Sequence, residues 1–526
     1  MNTPDPVSRL TRRLLITRAA ALAAVAGPAA PLALQLAAIG EAAAQSSAAP
    51  GDDGGYRALV CLFLFGGNDA YNTLLATDDS SWAPYAALRR QLPDSIALLP
   101  AGTPADAAAA AGTPARLGGV LPLAARDAAG RPLALHPMLG EVQRLCDVDR
   151  RLAFVANVGP LLAPTSKAQY GAAAHPKPHR LFSHNDQQNT WMAFAPEGAS
   201  RGWGGRIGDL VAAANGEAAF TAVSAAGNAV WLAGERVVPY QVSVNGAIRA
   251  GVDDRGRVWG SAAVGEALQR VIGQSRHEHL FAIDQAAVAQ RSIQSERALR
   301  AALAPATDPA FGTLPASGAY APGSDPKLQY ANPLNGQRSA NPLAQQLQVT
   351  ARMIDAGLRG ATGVRRQVFF VSLGGFDTHD AQNRTHADLM ARLSHALAYF
   401  DEALGAIGAR ERVTLFTASD FGRTLTSNGD GTDHGWGGHH LVLGGAVRGG
   451  RVFGRLPTLA PKNAADNRFD ASPDLLANGS MLPTLPVEAI AWPLARWMGV
   501  PESARPELFP NLSNFDRGIH DPGFLI

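Results

Sequence analysis

Three stretches of this chain repeat one pattern: an apolar run, then small residues, then an aspartate. Ala58-Leu59-Val60-Cys61-Leu62-Phe63-Leu64-Phe65 leads into Gly66-Gly67-Asn68-Asp69. Gln367-Val368-Phe369-Phe370-Val371-Ser372-Leu373 leads into Gly374-Gly375-Phe376-Asp377. Arg412-Val413-Thr414-Leu415-Phe416-Thr417 leads into Ala418-Ser419-Asp420. Apolarity that is continuous rather than alternating fits a strand buried on both faces, and such strands belong to parallel sheets covered by helices. A further run, Arg151 to Val158, ends at Gly159-Pro160.

Helical spacing lies between and beyond these runs, over 206–214, 277–304, 343–358, 386–407 and 486–498. The clearest case has apolar residues at 389, 393, 397, 400 and 404, one face of a helix. Alternating strands and helices predict an α/β fold: a doubly wound, mostly parallel sheet with helices on both faces. Residues 57–526 are expected to form a single large domain. Two stretches rich in Pro and Ala, near 101–130 and 305–341, read as loop insertions. With 46% apolar and 17% charged residues the chain can build a substantial core, and a net charge of +2 gives no sign of a nucleic-acid partner.

The N-terminus reads as a targeting segment. Arg12-Arg13 stands before a mildly apolar stretch from Ala19 to Ala38, broken by Pro28 and Pro31. Ala42-Ala43-Ala44 before Gln45 offers an A-x-A cleavage site. Residues 1–44 are therefore expected to be a twin-arginine signal peptide and 45–56 a flexible leader. The mature protein would be periplasmic or secreted, with the translocation machinery as a partner and no stable membrane anchor after cleavage. Cys61 lies inside a buried run, so it and Cys146 are expected to be separate core thiols rather than a pair.

In open α/β sheets ligands bind beyond the carboxyl ends of the strands. Parallel strands would bring Asp69, Asp377 and Asp420 to one edge, where three carboxylates repel unless a positive charge lies among them. His379, His434, His439 and His440 occupy the same segments, so the expected cofactor is a divalent metal: zinc, or magnesium, calcium or manganese. An Asp after a strand is often only a helix N-cap, and His439 or His440 can equally point to solvent or start a strand. Ser183, ahead of a plausible helix, is a candidate nucleophile, or a plain N-cap.

The runs Gly374 to Gln382, Ser419 to Thr424, Gly431 to Gly435 and Gly444 to Gly450 resemble the exported proteins grouped as Domain of Unknown Function 1501. Phe63 to Asn72 and Leu181 to Gln188 fit the N-terminal motifs of that family, and the resemblance extends from about residue 57 to 500. The family is itself similar to the alkaline phosphatase and sulfatase superfamily. That likeness implies metal ligation by Asp69, Asp377, His379, Asp420 and His434, with Ser183 at the nucleophile position. Arg423 could clamp a phosphate or sulfate group, or equally form a structural ion pair. In one respect the chain departs from the superfamily: Phe421 follows Asp420 where a His is usual. The resemblance implies a periplasmic metal-dependent hydrolase of a small-molecule or polymer ester. A non-catalytic periplasmic binding or assembly protein is the alternative.

Overall fold

The computed structural model describes residues 55–216, 218–248, 251–253, 255–274 and 280–526. The expected signal peptide, and the leader up to residue 54, lie outside the described residues.

Each apolar run forms a strand of one ten-stranded sheet. In chain order its strands are β1 (Arg57–Phe65), β2 (Leu152–Gly159), β3 (Ala222–Ser224), β4 (Tyr240–Ser243), β5 (Gly246–Ala247), β6 (Arg366–Gly374), β7 (Val413–Ser419), β8 (Gly438–Gly444), β9 (Val452–Gly454) and β10 (Leu485–Pro486). Across the sheet the order is β9-β2-β8-β7-β1-β6-β3-β4-β5, with β10 also paired to β2. β1 runs parallel to both β6 and β7, Leu64 lying opposite Leu373 on one side and Ser419 on the other. The loops carrying Asp69, Asp377 and Asp420 therefore leave the sheet at one edge.

The sheet is mostly parallel, as expected, with one exception at its edge, where β5 pairs antiparallel with β4, and one at its heart. β8 runs antiparallel to β7 and to β2. It contains His439 and His440, only 4% and 3% exposed. Both are strand residues facing the interior rather than members of an open site.

The helices of eight or more residues are α1 (Asp79–Arg89), α2 (Gly140–Asp147), α3 (His184–Ala193), α4 (Trp203–Val211), α5 (Ala262–Gln274), α6 (Leu280–Ala302), α7 (Pro342–Leu358), α8 (Gln382–Ala406) and α9 (Glu488–Trp497). Alternate residues of β1 serve opposite faces. Val60, Leu62 and Leu64 pack in the core that includes α2, α7 and α8. Leu59, Cys61 and Phe63 pack in the one that includes α3, α4 and α9. Two covered faces explain the unbroken apolar run, since each such side chain contributes roughly 1.5–3 kcal/mol on full burial. Cys61 and Cys146 are both free and buried, one in each core.

α8 buries Leu389, Leu393, Leu397, Phe400 and Leu404, the face its spacing predicts. α7 begins with Pro342 at a position that needs no N–H donor, behind Asn341, whose side chain accepts from the amides of Leu343 and Ala344. The two insertions hold more structure than their composition suggests. Leu121–Arg126 joins Pro132–Leu135 and Leu74–Ala76 in a small antiparallel sheet. The 305–341 stretch carries a hairpin, Gln329–Ala331 with Arg338–Ala340, and buries Phe311, Leu328 and Tyr330. Such aromatic and Leu anchors fall too far apart to show any period. No described helix is long and apolar enough to cross a membrane.

Candidate metal centre

The ends of β1, β6 and β7 are laced together before any functional group is placed. The Ser419 hydroxyl donates to the Leu64 carbonyl at 2.7 Å and accepts from the Asn68 amide at 2.9 Å. Gly66 has φ +111°, and a Cβ there would lie 2.3 Å from the Asp377 amide nitrogen. Only glycine lets the loop after β1 pass this close to the loop after β6.

Arg423 fills the space beneath. Its side chain is 0% exposed. It donates to the carbonyls of Gly67 (3.0 Å), Thr432 (3.1 Å) and Phe376 (3.1 Å), to that of Gly66, and to Asp377 Oδ1. Its donors are thus committed to the loops, to one carboxylate and, from Nη1 at 3.5 Å, to His379 Nε2. Of its two readings, a clamp on a substrate oxygen or a structural ion pair, the geometry has the second: a buried brace that holds Asp377 in place.

Asp377 itself is 46% exposed and stands at the centre of a ring of imidazoles. His379 Nε2 is 3.1 Å from its Oδ1, His434 Nε2 is 3.3 Å from the same oxygen, and His184 Nε2 is 3.4 Å from its Oδ2. His379 Nε2 and His434 Nε2 are 2.9 Å apart. His184, Asp377 and His434 offer ligand atoms within 4.8 Å of one another, a group able to hold a metal ion. His184 Nδ1 donates to Asp420 Oδ2 at 2.6 Å, and His434 Nδ1 donates to the Phe182 carbonyl at 2.7 Å. Phe421 packs against both rings, with centroids 4.9 Å from His184 and 4.5 Å from His434.

The electrostatics follow from these contacts. Burial would raise the Asp377 carboxyl, but the Arg423 bond and charge outweigh it and hold the group below the usual carboxylate range. The bond to Asp420 raises His184, against the opposing effect of burial. Burial lowers His434, so its neutral form, the one that binds a metal, is favoured.

Of the residues singled out from sequence, Asp377, His379 and His434 meet here. Asp69, Asp420, Ser183 and Arg423 have other places. Asp69 is 0% exposed, and its carboxylate accepts from Arg89 at 2.5 and 3.0 Å, from Gln382 at 2.6 Å and from the Tyr71 amide at 3.1 Å. A guanidinium has taken the position where a metal was expected. Asp420 is also fully buried, and accepts from Gly66 (3.1 Å) and Gln188 (2.8 Å) besides His184. It orients an imidazole rather than offering a free oxygen. Ser183 precedes α3, and its hydroxyl donates to the buried Asp186 at 2.9 Å instead of facing Asp377.

His184 is the member that the sequence alone did not single out. It lies in the run from Leu181 to Gln188, conspicuous only for its polarity. It opens α3, whose residues show no amphipathic period to separate a site residue from a surface one.

Together the fold and the centre define a mixed α/β protein with a His/Asp/His group that could hold a cation at the carboxyl edge of its sheet. The chain belongs to the family described as protein of unknown function (DUF1501), whose model matches residues 56–507. No curated protein sequence matches it. One solved structure, titled as the crystal structure of Ps i-CgsB in complex with k-i-k-neocarrahexaose, is similar at a TM-score of 0.28 and 8% identity, over 76% of this chain and 69% of that one. A likeness of that size carries no argument.

Proposed function

We propose that this protein is a metal-dependent hydrolase of phosphate or sulfate esters, alkaline phosphatase-like in ancestry and periplasmic after twin-arginine export. One observation carries the proposal: His184, Asp377 and His434 come from three distant segments and meet with their ligand atoms within 4.8 Å. Neutral imidazole nitrogens and a carboxylate oxygen are the donor set that zinc and similar cations take. A bound divalent cation would polarise the ester and make water more acidic.

The chain's own residues have separable tasks. His184, Asp377 and His434 hold the cation. Asp420 and the Phe182 carbonyl keep the rings oriented, in the manner of outer partners of metal-binding histidines. Arg423 offsets the Asp377 charge from below. Ser183 is committed to Asp186, so attack on the ester falls to water.

The test uses protein purified without a His tag, with aryl phosphate and aryl sulfate substrates. Turnover should be lost on chelation, restored by a divalent cation, and reduced by about a hundredfold or more in Asp377→Ala, on the scale at which loss of one electrostatic group acts. A panel of esters left intact by metal-loaded protein would sink the proposal. It would favour the alternative, a periplasmic binding or assembly protein, which Phe421 supports by packing an inert ring against two of the imidazoles where the superfamily has a ligating His.

A further inference from the structure

We infer that the centre is mononuclear and nitrogen-rich: His184, His379 and His434 through Nε2, and Asp377 through its carboxylate, take one cation of the zinc class, while Asp69 and Asp420 stay outside its coordination. The inference rests on the cation-binding part of the function proposed above and adds the number of ions, their class and a fourth ligand.

The outer hydrogen bonds settle where the ring protons sit. A carboxylate and a carbonyl can only accept, so His184 and His434 each carry a proton on Nδ1. Asp433 Oδ1, 3.5 Å from His379 Nδ1, favours the same tautomer there. The neutral rings then turn Nε2 lone pairs inward, that of His379 lying 3.5 Å from Arg423 Nη1. Two of those atoms, on His379 and His434, stand 2.9 Å apart. Lone pairs this close repel unless a proton or a metal lies between or beside them.

Magnitudes favour the metal. A four-coordinate zinc with bonds of about 2.0–2.1 Å to nitrogen separates its ligand atoms by roughly 3.3 Å. Four separations within the group are 2.9, 3.1, 3.3 and 3.4 Å, and the ligand atoms of His184, Asp377 and His434 all lie within 4.8 Å of one another. Calcium takes six to eight oxygens at about 2.3–2.6 Å, and magnesium keeps an octahedron of oxygens and waters. Three imidazoles and one carboxylate match neither.

Asp69 and Asp420 are already fully engaged. Asp69 has the Arg89 guanidinium, and Asp420 has three donors with no exposed surface. Neither has an oxygen to give to a second ion.

The experiment is metal titration of chelator-stripped, tag-free protein. Expected are one zinc per chain by elemental analysis, intense visible bands on cobalt substitution, and no displacement of zinc by millimolar magnesium or calcium. His379→Ala and His379→Gln should each weaken zinc at least tenfold with an unchanged thermal melt. Asp420→Asn should weaken it by about 10–100-fold. Two ions per chain, a preference for magnesium or calcium, no zinc uptake, or unchanged affinity in both folded His379 variants would overturn the inference. The two proposals fail separately. One tightly held zinc with no ester turnover ends the hydrolase and leaves this centre standing. Turnover that is lost on stripping and restored only with two ions per chain, or by magnesium but not zinc, ends this centre and leaves the metal-dependent hydrolase.

Discussion

Asp69 and Asp377 follow adjacent strands of one sheet, behind similar apolar runs and paired glycines, yet their surroundings are opposite. Asp69 is sealed, with every contact made by Arg89, Gln382 and a backbone amide. Tyr71 and Tyr85 stack over that guanidinium at 5.3 and 5.7 Å. Asp377 is half open, braced from below by one arginine and ringed above by imidazoles. A carboxylate whose counter-charge is built into the chain serves the fold. One whose lone pairs face histidines remains available to something the chain does not supply.

The largest effect expected from this contrast is on stability. Arg89→Met leaves Asp69 buried and unpaired and should cost about 3–5 kcal/mol, seen as a lower midpoint in urea or as loss of soluble protein. Asp377→Asn should change stability far less, about 1 kcal/mol or under, because the group is half exposed and screened by solvent. The same substitution should abolish metal uptake. Equal destabilisation by the two variants would erase the distinction.

Acid should separate the two sites further. Burial alone would raise Asp69, but the Arg89 charge and hydrogen bonds bring it below its ordinary value. Its folded value is therefore the lower one. The pair's contribution is present above the ordinary carboxylate value and is lost as pH falls through the folded value. A urea midpoint that is flat with pH across the acid range would contradict this.

His184 has the reverse sign. Its folded value is raised by Asp420, so in metal-free protein its contribution is full below about pH 6.5 and is lost as pH rises through the folded value. Since a ligating imidazole must be neutral, metal affinity should instead fall as the solution is made acidic. Zinc affinity measured between pH 5.5 and pH 8 checks it. His184→Gln should remove the smallest of these effects, the loss of stability as pH rises through that folded value.

The sequence marked the sheet centre well, because strands covered on both faces leave an unbroken apolar record and aspartates show where they end. It marked the site unevenly. Asp377, His379 and His434 sit in short Gly-rich loops where polar residues stand out. Arg89 does not, since it ends a helix with no unusual spacing, and so the partner that silences Asp69 went unseen. His184 was hidden in a polar run for the same reason. The reversed direction of β8 was beyond reach too: Leu441-Val442-Leu443 reads as a strand, but an apolar triplet has no polarity along the chain.

One consequence follows from the two thiols. Burial raises Cys61 well above its usual value and pushes Cys146 up to about 12, so neither is a ready thiolate. They sit in cores on opposite faces of the sheet. The described domain therefore needs no disulfide cross-link, and so no thiol oxidant or disulfide isomerase, to finish folding. Its covalent structure would be the same whether it was assembled in a glutathione-rich compartment or outside one.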